Sequence, residues 1–235
     1  MKTLLLKLSG PLQSWGTSSH FNTRYTDYHP SKSGLIGIIA ASLGLKRDQE
    51  EEIRALNQLD FAVRVDQAGN LLKDFHTAKS YKKDGQVDKA YVTNRYYLED
   101  AVFLVGLGHE DDSLIDKIDQ ALRHPYFQPF MGRKSPPLPY DFIIGKEEGP
   151  VLDTLKQVAW QASDWYRRKN SNKLEIYADA DLVPESETSV YRQDRVQSFS
   201  RKDRKFGFRG EVRLDVYVTG PDQDLEADHD AFGAI

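Results

Sequence analysis

The chain contains no cysteine in 235 residues. That excludes structural disulfides and thiolate metal sites and suits a reducing compartment. It also lacks a long apolar run. Leu4-Leu5-Leu6-Lys7-Leu8 is interrupted by a lysine and is too short for a signal segment or a membrane span. A soluble, cytoplasmic protein with no membrane partner is expected. The six histidines, His20, His29, His76, His109, His124 and His229, form no close pair and no H-E-x-x-H motif. No G-x-S-x-G elbow occurs, and no lysine follows a glycine-rich strand turn. No metal ligand set, cofactor motif or catalytic residue is therefore assigned. Internal repeats and low-complexity linkers are missing too.

What is present is globular in character. Hydrophobic residues make up 39% and aromatics 11%, enough for one full core with a second lobe. The net charge is −4, which by itself argues against a nucleic-acid binder, but the charge is segregated. Residues 192–213 carry eight Lys or Arg against three acids, a local net of +5. Residues 73–97 carry six against three, a net of +3. Acids gather instead in residues 48–52 and 222–230. Such a pattern can present a basic face on an acidic protein.

Hydrophobic periodicity predicts a strand at 3–8, a long polar loop at 9–32, a helix at 33–43 and a second at 48–59, capped by Asp48 with Glu51 at the capping-box position. A strand at 61–65 follows. Asp84-Gly85 signals a hairpin turn whose aromatic and basic flanks suggest a protruding rather than a core hairpin. Then come a buried strand at 101–107, an amphipathic helix at 113–123, an irregular proline-rich stretch at 125–139 and a short strand at 142–144. The order β-α-(α)-β-[hairpin]-β-α-β matches a split βαβ, the ferredoxin-like α+β class. A helix at 153–167, strands at 174–177 and 211–218, and an acidic tail at 221–235 complete the chain.

Four places stand out as candidate sites. Gln13-Ser14-Trp15-Gly16 joins amide and hydroxyl groups to an indole that either plugs the sheet or faces a nucleotide. Lys32-Ser33 opens a helix, where a serine cap and a phosphate grip can coexist. Gly132-Arg133-Lys134 pairs a permissive backbone with charge. In the stretch from Phe199 to Arg209, basic residues alternate with phenylalanines in a glycine-punctuated loop, a composition suited to a single-stranded backbone.

Gly10-Pro-Leu-Gln-Ser-Trp-Gly16, Pro30-Ser-Lys-Ser-Gly-Leu-Ile-Gly37, Asp74-Phe-His-Thr77, Arg95-Tyr-Tyr-Leu-Glu-Asp-Ala101, Gly132-Arg-Lys134 and Arg204-Lys-Phe-Gly-Phe-Arg209 occur in that order. Over residues 1–218 the chain resembles the CasD-type subunits of type I-E Cascade, the CRISPR surveillance complex. The resemblance implies a RAMP-type, RRM-like ferredoxin palm (residues 1–78 and 98–220) carrying a β-hairpin thumb (79–97). It implies a non-catalytic subunit that holds the 5′ handle of the CRISPR RNA and contacts a CasC-type backbone subunit and a CasA-type large subunit, meeting target DNA only indirectly. By motif position the RNA-facing residues would be Gln13, Ser14, Trp15, Gly16, Arg24, Lys32, Ser33, His76, Thr77, Lys79, Arg95, Gly132, Arg133, Lys134, Arg204 and Arg209. A metal-independent ribonuclease, drawing on His20, Tyr25, His29, Lys32 or His76, is the alternative, and a generic RNA-binding adaptor a third reading. The processing relatives use a tyrosine with an adjacent Lys-His pair, and this chain has no Lys-His dipeptide.

Overall fold

The computed structural model describes residues 1–17, 23–183 and 189–219. His20 and the expected acidic tail lie outside them. The strands are β1 (Lys2–Ser9), β2 (Leu12–Gln13), β3 (Thr23–Arg24), β4 (Asp60–Gln67), β5 (Asn70–Tyr81), β6 (Val87–Glu99), β7 (Val102–His109), β8 (Ile143–Glu148), β9 (Lys173–Asp179), β10 (Ser189–Ser198) and β11 (Lys205–Tyr217). The helices are α1 (Lys32–Ser42), α2 (Glu50–Ala55), α3 (Asp112–Arg123), α4 (Val151–Gln157) and α5 (Asp164–Arg167).

Seven strands form one antiparallel sheet in the order β10-β11-β9-β4-β7-β1-β8. Its middle explains the triple leucine of β1. Leu4, Leu6 and Leu8 point into a core shared with α1 and α3, while Leu5 points into a second core shared with α4 and Trp160. A strand covered on both faces reads as a continuous apolar run instead of an alternating one. Each leucine so buried contributes about 2 kcal/mol.

Helix α1 begins one residue earlier than expected, because Ser31 rather than Ser33 is the cap. Ser31 Oγ accepts from the Gly34 N–H at 3.2 Å. Helix α2 is shorter than the expected 48–59 and is not capped by Asp48. Gln49 precedes it without a side-chain cap, and Leu56–Gln58 tighten into a single 3₁₀ turn.

The expected helix at 153–167 is broken in two, and Arg64 is the reason. This fully buried arginine on β4 donates from Nη1 to the carbonyls of Leu155 and Val158 (2.5 and 2.7 Å) and from Nη2 to Ala159 (3.0 Å). The guanidinium thus satisfies carbonyls that end α4 and gives the chain a reason to turn there. Asp66 holds Arg64 through two bonds of 2.6 and 2.8 Å. The expected basic loop at 199–209 is also corrected: from Lys205 onward it is strand β11, paired along β10 and β9.

The hairpin is longer than the expected thumb. β5 and β6 pair from Asn70↔Glu99 outward to the turn, where Gly85 takes φ +84° and its N–H donates to Lys82 O at 3.0 Å. Beyond Asp74 most of its side chains are exposed, including Phe75, Tyr81, Val87, Tyr91 and Val92. β2 pairs antiparallel and β3 parallel with β6, so these short strands brace the base of the hairpin.

Candidate nucleic-acid interface

The segment 10–16 turns out to be the fastening of this base. Gln13 is fully buried. Its Nε2 donates to the carbonyls of Leu8 and Ala101 (3.2 and 2.7 Å), and its Oε1 accepts from Trp15 Nε1 at 3.0 Å. Trp15 is 2% exposed and lies on the first turn of α1, where a Cβ on Gly34 would come within 3.2 Å of the indole. The expectation that Trp15 and Gln13 face a nucleotide is therefore corrected, since their polar atoms are consumed inside the core. Ser14 is buried as well, with its Oγ donating to Tyr96 O at 3.4 Å. Gly16 is exposed.

The loop holding Arg133 is fixed to the same segment. Ser14 N–H donates to Met131 O at 3.3 Å. Gly132 sits at φ +78°, and a Cβ there would fall 1.6 Å from Ser14 O, so no other residue fits this crossing.

Upon this platform a basic and aromatic surface assembles. Arg24 and Arg95 are neighbours across the β3–β6 pairing. On the opposite face of β6 from Arg95, Tyr25 and Tyr96 stack at 5.3 Å with planes 16° apart. The Arg133 guanidinium lies 4.3 Å from the Tyr97 ring centroid and donates from Nη2 to Arg24 O at 2.8 Å. Burial pushes the Tyr97 phenol up, yet hydrogen bonds from Arg133 and Ser135, with the charges of Arg133 and Arg95, outweigh it and leave the pKa below that of an ordinary tyrosine. Two donor atoms here, Arg95 Nε and Arg133 Nη1, are shielded from water and have no hydrogen-bond partner among the described residues. Lys134 is exposed beside Arg133.

The hairpin register separates two residues expected to act together. His76 lies opposite Thr93 and Thr77 opposite Val92, so consecutive side chains leave on opposite faces. His76, Arg95 and Tyr97 share one face, with Asp74 the carboxylate beside Arg95; Thr77, Lys79, Lys73, Phe75 and Tyr96 share the other.

Lys32 and Arg209 are also corrected as free phosphate contacts. Lys32 Nζ donates to Asp179 Oδ2 at 2.7 Å and to Asn57 O at 2.9 Å. Arg209 makes a two-pronged pair with Asp194, both bonds 2.9 Å, and reaches Asp179 (2.9 Å) and Glu211 (2.6 Å). The anion position at the start of α1 is filled from within: Asp194 Oδ2 accepts from the Lys32 N–H at 2.8 Å. Ser33 is half-buried with its Oγ 3.4 Å from Ser31 Oγ. Arg192 and His29 join this network. Arg192 binds Asp27 and Glu211 (2.9 and 3.2 Å), while His29 stacks on Tyr177 at 3.9 Å and lies 3.4 Å from Glu211. His29 and Lys32 thus belong to this buried charge network, whereas Tyr25 stacks on Tyr96 and His76 lies on β5 of the hairpin. No group of three or more His, Cys, Asp or Glu among the described residues is placed to hold a metal.

The residues missed by motif reading are Tyr25 as a stacking partner and Tyr96, Tyr97 and Ser135. Their signal was the Tyr-Tyr pair following Arg95, which only the strand pairing brings to Arg133.

Three comparisons place this arrangement. A family model described as "CRISPR-associated protein (Cas_Cas5)" matches residues 3–210. The CRISPR system Cascade subunit CasD of Escherichia coli (strain K12) is 34% identical over 156 residues, 60% of this chain and 70% of that one. A chain of a solved CRISPR RNA-guided surveillance complex superposes with a TM-score of 0.77 at 30% identity, covering 94% of this chain and 95% of its own. A crystal structure of a Cas protein gives a TM-score of 0.65 at 31% identity, covering 93% and 100%. From these matches, the chain belongs to the CRISPR-associated (Cas_Cas5) family and is of the CasD, Cascade-subunit type.

Proposed function

We propose that this chain is a non-catalytic subunit of a cytoplasmic CRISPR surveillance complex and holds the 5′ handle of the CRISPR RNA at the base of its hairpin. The observation that carries the reading is the gathering of Arg24, Arg95 and Arg133 on one face of the hairpin base, with Arg133 laid over the Tyr97 ring. Phosphate oxygens suit such a group of guanidiniums, and exposed aromatic faces suit splayed bases. His76, Gly132 and Lys134 border this surface and Gly16 sits at its edge, while Thr77 and Lys79 would serve from the other face of the hairpin. Gln13, Ser14, Trp15, Lys32, Ser33 and Arg209 support it from beneath. We read β8-β1-β7-β4 with α1 and α3 as the ferredoxin-like palm and the outer part of the β5–β6 hairpin, about residues 79–97, as the thumb. The thumb's exposed Tyr81 and Val92 would meet the CasC-type backbone subunit, and another face the CasA-type large subunit. Holding without cutting is supported by the engagement of His29 and Lys32 in ion pairs away from the hairpin.

The test is co-expression with the other Cascade subunits and CRISPR RNA. Arg133→Glu should reduce co-purified RNA and assembled complex about tenfold or more. Normal assembly with a full complement of RNA would overturn the assignment.

A further inference from the structure

The basic face of the hairpin base carries an acid that phosphate binding does not explain. Asp74 of β5 stands directly across from Arg95 of β6, and Arg95 pairs in register with Arg24 of β3. Paired residues on neighbouring strands leave the sheet on the same face, about 5 Å apart. The three therefore form one row across the sheet: carboxylate, guanidinium, guanidinium. Tyr97, with Arg133 over its ring, lies in the next row towards the root of the hairpin, and His76 in the next row towards its tip.

A carboxylate beside a phosphate-binding row repels the very group that the row would receive. The ordinary reason for such an acid, a cross-strand ion pair, is missing. Asp74 is exposed and makes no ion pair or hydrogen bond among the described residues, Arg95 included. Other arginines are answered from within: Asp66 grips Arg64, Asp194 grips Arg209, and Arg204 lies over the Phe206 ring at 5.1 Å. Nor does Asp74 make a turn, since β5 runs unbroken from Asn70 to Tyr81. Glu99, the other carboxylate that β5 and β6 place on this face, sits two pairings nearer the root, beyond Leu72 and Tyr97.

We propose that Asp74 is a specificity-determining residue that accepts hydrogen bonds from the edge of a guanine base while the arginine row holds the backbone. A carboxylate only accepts, and it offers two oxygens side by side. Guanine presents two adjacent donors on its Watson–Crick edge, N1–H and the N2 amine. Adenine, cytosine and uracil each present a single donor group there. An unpaired base turned out of its strand exposes that edge to side chains. Bonds to an ionised acceptor are about twice as strong as neutral ones, so the match in donor number discriminates. The inference rests on the reading of this face as an RNA site and narrows its ligand to a strand with a guanosine at the hairpin base.

The purified full chain is titrated with three fluorescein-labelled RNAs: octauridylate, the same strand with one guanosine, and the same strand with one inosine. Inosine keeps N1–H and lacks the N2 amine. The native chain should bind the guanosine strand about tenfold tighter than the inosine strand, and in Asp74→Ala the two should agree within about twofold. Asp74→Asn, which keeps one accepting oxygen, should retain part of the preference. Affinity of Asp74→Ala for octauridylate should rise, because a repelling charge has left the row. Equal binding of guanosine and inosine strands by the native chain would overturn the proposal, as would a preference that survives Asp74→Ala. Loss of Cascade assembly in Asp74→Ala without any guanosine preference in the native chain would overturn it too, and would assign the acid to a basic protein partner. Arg133→Glu is measured against the same three strands. If it weakens none of them, the RNA reading of this face falls; if it weakens all three and the guanosine contrast is absent, only the role of Asp74 falls.

Discussion

The carboxylate of Asp194 receives the backbone N–H of Lys32 at 2.8 Å while also gripping Arg209 with both oxygens. One acid from β10 therefore anchors the first N–H of α1 and neutralises Arg209 of β11. Asp194→Ala should cost about 2–3 kcal/mol, because the buried Arg209 loses its two-pronged partner, keeping Asp179 and Glu211, and the first N–H of α1 loses its acceptor. Chemical denaturation measures this. A loss under about 1 kcal/mol would show that the network is expendable.

The same network sets an acid limit. Glu211 is held down to about 2: burial raises its pKa, but the hydrogen bond to His29 and the charges of Arg192 and Arg209 prevail. A depressed carboxylate stabilises the fold above its unfolded pKa, and the benefit fades as pH falls from about 4.5 towards 2, a span of about 3 kcal/mol. Asp179 is shifted upward, burial outweighing Lys32 and Arg209, so its protonation offsets part of that loss. Glu211→Gln should flatten the acid limb of stability against pH; an unaltered limb would refute the role given to Glu211.

Arg133 is predicted to leave a spectroscopic mark on Tyr97. In Arg133→Ala the phenol loses a hydrogen bond and a nearby positive charge, so its pKa rises. The alkaline difference spectrum of the variant against the native chain should show one tyrosine titrating later.

Gly132→Ala places a methyl group in the path of Ser14 O and forces an L-residue to φ +78°. The expected cost is about 2 kcal/mol or more, accompanied by weaker handle-RNA binding as Arg133 is displaced. A variant with native melting temperature and native RNA affinity would mean that the crossing is not needed.

Much of the frame was legible. The leucine run of β1, helix α1 to within a residue and the Asp84-Gly85 turn each announce themselves through local rules of burial, periodicity and backbone sign, although the cap of α1 is Ser31 and not Ser33. What escaped was decided by partners far along the chain. The basic stretch at 192–213 counts as +5 locally, yet Arg192 is answered by Asp27 and Arg209 by Asp179. A window of neighbouring residues cannot register those acids, so ion-paired strands looked like an RNA-facing loop. Gln13 and Trp15 misled for a similar reason. Their donors and acceptors close on one another and on β1 and the start of β7, which only the folded backbone supplies.

Arg64 has a consequence for how the two halves of the chain relate. Its charge is placed in the first half, and three of the oxygens that make its burial tolerable arrive nearly a hundred residues later. A truncated chain ending before Val151 would keep Asp66 but leave most of the guanidinium unanswered in a dry interior. The early and late segments are therefore bound to melt together, in a single cooperative transition, and neither can be borrowed as an independent module.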